Sequence, residues 1–91
     1  MHANNGWGKA GERRAWQTAT KSVPCTDCGV AYPPYVMQFD HVPNRGPKLF
    51  NISEAVRDGT WTVEQVKAEA EKCDIVCANC HAVRTHTRSK K

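Results

Sequence analysis

The chain has few large apolar side chains and no long apolar run. Leu, Ile, Val and Phe together make up 14 of the 91 residues. In globular domains these four residue types usually make up more than about 20% of the chain. The longest apolar run is the four residues 75–78, and a membrane-spanning helix needs about 20. These shortages exclude a large self-sufficient core. One small domain is expected, and such a domain often needs a metal ion or disulfides for its stability.

An export signal is also missing, because residues 1–9 contain no apolar stretch of the kind that directs secretion. We therefore expect a soluble, cytoplasmic protein. Five cysteines in this setting favour metal binding over disulfides, and four of them form the two C-x-x-C pairs Cys25/Cys28 and Cys77/Cys80. Four thiolates around one tetrahedral zinc would supply the stability that the small core lacks. The remaining Cys73 continues an apolar helix face and is expected in the core.

Basic residues gather at the two ends of the chain. Residues 1–21 carry a net charge of +3, residues 78–91 carry four basic residues and no acidic one, and the whole chain carries +4. Basic ends suit a polyanion, because Lys and Arg release the counterions condensed on phosphates. They also simply keep a small domain in solution. Charge therefore admits a nucleic-acid partner without requiring one.

Local patterns predict a mixture of helices and short strands. Thr62 followed by Gln65 is typical of a capping box at the start of a helix, and Val63, Val66 and Ala70 give that helix an apolar face. Ser53 is expected to cap the preceding short helix. In chain order the sequence predicts a basic helix over 9–21, a strand over 35–41, a helix over 53–59, the helix after Thr62, a strand over 74–77 and a helix over 79–88.

Three chemically capable side chains flank the cysteine pairs. Asp40 and His41 end the first predicted strand, and His81 directly follows Cys80. If one zinc joins the two pairs, that strand end and the last helix become neighbours. A hard divalent ion accepts carboxylate and imidazole ligands, and an imidazole with an ordinary pKa of about 6.5 can take a proton from water near neutral pH. This set suits metal-assisted hydrolysis of a phosphodiester.

These motifs resemble the HNH endonucleases, which belong to the ββα-metal, or His-Me finger, nucleases. The likeness covers about residues 24–88 and lies in Cys25-x-x-Cys28, in Phe39-Asp40-His41-Val42, and in Ile75-Val76-Cys77-Ala78-Asn79-Cys80-His81 with Arg84-Thr85 after it. It implies a small α+β fold, a ββα-metal finger with a four-cysteine zinc site and extra helices. Residues 1–23 would then be a partly helical basic segment and residues 89–91 a basic tail.

The resemblance also implies roles for individual residues. His41 would be the general base that activates water, and Asp40 and His81 would hold a catalytic divalent ion, which Mg²⁺, Mn²⁺, Ni²⁺ or Zn²⁺ can supply. The structural zinc would be held by Cys25, Cys28, Cys77 and Cys80. The substrate would be DNA, and its phosphates would contact the basic side chains of Arg84, Arg88, Lys90 and Lys91, which could otherwise form a solvated tail. Such chains are often phage-encoded, which would place this one in a host cytoplasm as a monomer or weak dimer.

One position departs from the family pattern. The middle Asn of the motif usually lies just before the second strand, where this chain has Lys72-Cys73-Asp74. Asn79 lies too late in the chain, and Asn51 reaches the site only if the connection after the first strand folds back. This departure, with the basic ends, motivates one alternative, a zinc-stabilised DNA-binding module without catalysis. The resemblance suggests another, a nuclease that acts only beside a partner such as phage packaging proteins.

Overall fold

The described part of the chain, residues 8–89 of a computed structural model, contains four helices and a two-stranded antiparallel sheet. Short 3-10 turns at Pro34–Val36 and Pro43–Arg45 stand on either side of the first strand. The prediction of a small α+β fold is confirmed. In chain order the elements are α1 (Ala10–Thr20), β1 (Met37–His41), α2 (Ile52–Asp58), α3 (Val63–Ala70), β2 (Cys73–Cys77) and α4 (Ala78–Ser89).

The two strands pair along their whole length. Met37 lies opposite Cys77 at one end, and His41 lies opposite Cys73 at the other. Helix α4 begins at the residue after β2 and packs against both strands. This register places the start of β1 beside the beginning of α4, and the end of β1 meets the later turns of α4, where Arg84 and Arg88 contact Asp40. Strand β1 begins later than the sequence predicted, because Pro34 sets the backbone of a 3-10 turn that includes Tyr35.

Local signals explain the start of α3 and the end of α2. The capping box of α3 is confirmed: the amide of Gln65 donates to Oγ1 of Thr62 over 3.2 Å, and the amide of Thr62 donates to Oε1 of Gln65 over 2.8 Å. The expected cap at Ser53 is wrong, since α2 begins at Ile52 and its N-cap residue is Asn51. Helix α2 ends at Asp58, and its C-cap residue Gly59 has a left-handed φ of 71°, a conformation that favours glycine.

The core is divided between two small clusters at opposite ends of the sheet. One cluster contains Met37, Val76 and two of the paired cysteines. The other contains Cys73, as predicted, together with side chains of α2 and α3, and Trp16 stacks on Phe39 at its edge with ring centroids 6.0 Å apart. Between residues 8 and 89, no helix combines the length and apolar character that crossing a bilayer requires.

Candidate metal centre and active site

The four paired cysteines come together in a single cluster. Their sulfur atoms all lie within 4.8 Å of one another, and a tetrahedral zinc with bonds of about 2.3 Å would hold its sulfurs about 3.8 Å apart. Within residues 8–89, this is the one group of three or more His, Cys, Asp or Glu side chains that could hold a metal ion in this way. The predicted four-cysteine ligand set is therefore assembled, and it can hold a metal such as zinc.

Backbone geometry builds this cluster from two tight turns. Gly29, with a φ of 74°, lets its amide donate to the carbonyl of Cys25 over 2.8 Å. The amide of Cys77 donates to Sγ of Cys25 over 3.3 Å, and the amide of Cys80 donates to Sγ of Cys77 over 3.4 Å. These donors stabilise thiolates, which are the form that binds metal.

The thiols are not equivalent as acids. Burial raises the pKa of Cys25, but amide donors from Cys28 and Cys77 outweigh burial and lower it to about 6. Hydrogen bonding with Cys77 raises the pKa of Cys80 to about 12, and burial is the second cause of this rise. Cys25 thus ionises easily whereas Cys80 resists ionisation, because four negatively charged thiolates repel one another at this distance unless a cation lies between them. The donor set accordingly fits a divalent metal ion.

Asp40 is the centre of a second cluster beside the first. Its side chain is 3% exposed, and Nε2 of His81 lies 3.3 Å from its Oδ1. The guanidinium of Arg84 donates to Oδ2 over 2.6 Å, and Arg88 donates to both oxygens over 2.8 and 2.9 Å. Burial raises the pKa of Asp40, but these two guanidinium groups lower it below its ordinary value. The carboxylate is therefore held ionised.

A cavity of about 610 Å³ lies against this cluster. It is bounded by the end of β1, the beginning of α2 and the exposed side of α4, and His41, His81 and Asp40 all contribute to its wall. Asn51 lines it too, so the connection after β1 does fold back towards the site. Other side chains on the wall are Lys48, Glu54, Thr85 and Arg88.

His41 contacts a residue that the sequence analysis missed. Its Nε2 atom lies 2.9 Å from Oε2 of Glu69, a side chain that is 1% exposed. Glu69 stands three residues after Val66, on the inner face of α3. An acidic residue at an apolar helix position was the available signal, because a carboxylate there must find a buried partner.

The four basic residues predicted to contact phosphate have different surroundings. Arg84 donates to both oxygens of Asp27 over 2.6 and 2.7 Å, as well as to Asp40, and Asp74 lies 3.0 Å from it. Arg88 is 37% exposed and borders the cavity. Lys90 and Lys91 lie outside the described residues. Phosphate contact by this group stays a prediction.

The chain was also compared with known proteins. Protein families, curated sequences and solved structures yield no match to it.

Proposed function

We propose that this protein is a metal-dependent DNA endonuclease of the HNH type. The observation that carries the proposal is the cavity whose wall contains His41, His81 and Asp40. Strands β1 and β2 with helix α4 would form the ββα-metal finger, and the cysteine cluster would hold its structural zinc. Lys48 and Arg88 stand on the same wall as the carboxylates of Asp40 and Glu54, and these two cations would contact the phosphates of DNA.

Asp40 and His81 would hold the catalytic divalent ion. They present a carboxylate oxygen and an imidazole nitrogen 3.3 Å apart, which is the mixed ligand set that such ions accept. The fit has one condition: the Arg88 guanidinium must leave Oδ1 of Asp40, where it donates over 2.8 Å. Arg88 lies in the last turns of α4 and is partly exposed, so its side chain can turn to the cavity.

His41 would act as the general base. The ion, when bound, stabilises negative charge on the scissile phosphate and on the leaving oxygen. His41 would take the proton of the attacking water, and Glu69 contacts Nε2 of its ring. Lys48 and the released Arg88 would bind phosphate oxygens and orient the backbone of the DNA.

A plasmid cleavage assay tests this proposal. Zinc-loaded wild type and His41→Ala would be incubated with supercoiled DNA in EDTA, Mg²⁺, Mn²⁺ or Ni²⁺. We expect the wild type alone to relax or linearise the plasmid, and only with a divalent ion. His41→Ala should keep its zinc and its fold. Equal cleavage by the two proteins would refute the role of His41.

A zinc-stabilised DNA-binding module without catalysis is the second candidate. It is favoured by one observation, namely that both oxygens of Asp40 are already bound by Arg84 and Arg88. A module of this kind would bind DNA with an affinity that falls steeply as salt is added, and it would cleave nothing with any divalent ion. Metal-dependent cleavage that disappears with His41 would eliminate this candidate.

A further inference from the structure

Glu69 is a buried charged side chain that the mechanism above leaves without a task. It is 1% exposed, on the face of α3 that packs against the core. An ionised carboxylate is costly to remove from water unless hydrogen bonds and opposite charges compensate it. The identity of its partners therefore indicates what it does.

The two carboxylate oxygens of Glu69 have different partners. Oε1 accepts from Nζ of Lys72 over 2.9 Å. Oε2 accepts from the backbone amide of Leu49 over 2.9 Å and lies 2.9 Å from Nε2 of His41. Burial raises the pKa of Glu69, but Lys72, the Leu49 amide and His41 together hold it below the ordinary value. The carboxylate is therefore ionised and can only accept hydrogen bonds.

This contact decides which nitrogen of His41 carries the proton. A neutral imidazole has one N–H donor and one nitrogen with a free lone pair. Since Oε2 of Glu69 only accepts, the hydrogen of the neutral ring must lie on Nε2. Nδ1 then keeps its lone pair, as a general base requires. The Leu49 amide donates to the same oxygen and so ties the connection between β1 and α2 to Glu69 as well.

We infer that Glu69 is a positioning residue, which holds His41 in the Nε2–H tautomer and in one ring orientation so that Nδ1 receives the proton of the attacking water. The inference about the tautomer stands on the contacts alone, and its consequence for cleavage rests on the proposed function. Glu69 would act only through His41 and would not touch the DNA.

Three substitutions separate this role from mere support of the fold. Glu69→Gln keeps one acceptor oxygen. The Leu49 amide can donate only to that oxygen, so it should orient the new side-chain amide with its oxygen towards His41. Glu69→Leu is similar in volume and removes both acceptors, whereas Glu69→Asp keeps the charge but withdraws it by one methylene. Lys72→Met is the matched control, because Lys72 contacts Oε1 and the carbonyl of Pro47 but not His41.

The direct readout is the tautomer of His41. Protein labelled with ¹⁵N in histidine and loaded with one zinc per chain would be studied by long-range ¹H–¹⁵N correlation about two pH units above the ordinary imidazole pKa of about 6.5. His41→Gln identifies the signal. We expect Nε2–H alone in the wild type, Glu69→Gln and Lys72→Met, and a mixture of both tautomers in Glu69→Leu and Glu69→Asp.

Two results would overturn the inference. One is an Nδ1–H signal in the wild type. The other is an unchanged Nε2–H signal in a folded Glu69→Leu or Glu69→Asp protein. If Glu69→Leu does not fold, Glu69→Asp and the wild type decide the matter.

Cleavage rates then connect the tautomer to catalysis. With a working nuclease, we expect Glu69→Leu or Glu69→Asp to lower kcat about ten- to a hundredfold with little change in KM, and Glu69→Gln to restore most of it. A loss of cleavage with His41 still in the Nε2–H form would contradict a positioning role. Full cleavage by His41→Ala would instead refute the proposed function, while the tautomer result would stand.

Discussion

Asp40 is a carboxylate whose cationic partners occupy the place that a metal ion would need. It is almost completely buried, and Arg84 and Arg88 neutralise it. The two arginines are not equivalent, because Arg84 is also held by Asp27 and Asp74 whereas Arg88 is more exposed and binds Asp40 together with the His41 carbonyl. Arg88 is therefore the cation that a divalent ion would displace.

Replacing Arg88 with glutamine should strengthen binding of the second metal ion. The wild type must break the Arg88–Asp40 ion pair before an ion can bind, whereas the variant has no guanidinium to displace. We expect the Kd for Mn²⁺, measured by calorimetry on zinc-loaded protein, to fall about tenfold, equivalent to about 1.4 kcal/mol.

Arg45→Gln is the control for this measurement. Arg45 is about equally exposed and pairs with Asp74 over 3.0 Å rather than with Asp40, so its removal should leave Mn²⁺ affinity unchanged. Weaker or unchanged binding by Arg88→Gln would show that Arg88 does not compete with the ion.

Glu69 should make stability depend on pH. Its pKa is lower in the folded protein than the ordinary value of 4.5, so the folded state binds fewer protons than the unfolded chain. The stabilisation is therefore present above that ordinary pKa and is lost as the pH falls through the folded value. We expect Glu69→Gln to be about 1–3 kcal/mol less stable at pH 7, and this difference should shrink once the pH falls below the ordinary value of 4.5.

Urea unfolding of zinc-loaded wild type and Glu69→Gln, measured in parallel over the pH range, checks this expectation. Acid also protonates the cysteine thiolates, but it does so in both proteins, so the difference between them reports on Glu69 and its contacts with His41 and Lys72. A difference that stays constant with pH would mean that Glu69 is not held ionised by the fold.

At the scale of helices and strands, local signals predicted what the structure contains. The capping box of α3 and the Asp58-Gly59 end of α2 depend on residues a few positions apart, and both were visible in the sequence. Ser53 was an incorrect cap because α2 already begins at Ile52, and the connection before α2 is held to α3 by the Leu49 amide, which donates to Glu69. Such contacts join segments about 20 residues apart and leave no local pattern.

Helices α1 and α2 are joined by a buried arginine rather than by apolar packing alone. Arg13 donates to the carbonyl of Val56 over 2.6 Å and to that of Arg57 over 3.3 Å, in the last turn of α2. Carbonyl groups at a helix end have no partners within the helix, so a guanidinium there satisfies them and complements the helix dipole. The sequence predicts a basic helix over this segment, but no local pattern predicts this contact.

Arg13→Met should lower the free energy of unfolding by about 1.5–3 kcal/mol, because it removes charged hydrogen bonds from buried carbonyls. Urea titration of zinc-loaded protein measures this change. The neighbouring Arg14 is exposed, and Arg14→Met should change stability by less than about 0.5 kcal/mol. Equal effects of the two substitutions would contradict the structural role of Arg13.

The candidate site was predictable in its residues but not in its connections. The cysteine spacing and the Asp-His pair identified the candidate ligands and base from the sequence alone. The partners of these residues come from distant segments: Glu69 lies 28 positions from His41, and Arg88 lies 48 positions from Asp40. Only the pairing of β1 with β2 and the packing of α4 bring them together.

For the molecule as a whole, two small core clusters lie at opposite ends of a two-stranded sheet. A sheet of two strands is marginal in water without further support. The cysteine cluster joins the segment before β1 to the β2–α4 junction, so a bound zinc would hold the sheet and the last helix in one unit. Stability should therefore depend on that metal ion.

Removal of zinc should unfold the protein. We expect one zinc per chain, and a strong chelator should abolish the cooperative thermal transition followed by circular dichroism. Cys80→Ala should lose the zinc and the fold, whereas Cys73→Ala, which lies outside the cluster, should keep one zinc per chain. A chelated protein that melts at the same temperature as the loaded one would show that the cluster is not a structural metal site.

The most direct test of the central claim compares two histidines of the same chain. His41→Ala and His86→Ala would be purified side by side with the wild type, and the initial rate of plasmid cleavage would be measured with Mg²⁺ or Mn²⁺. His41 lines the cavity, whereas His86 lies on an exposed part of α4 and does not contribute to its wall. We predict that His86→Ala cleaves at nearly the wild-type rate and that His41→Ala loses at least about a hundredfold, in line with loss of a general base. Undiminished cleavage by a folded, zinc-loaded His41→Ala protein would contradict the role of His41 as the general base.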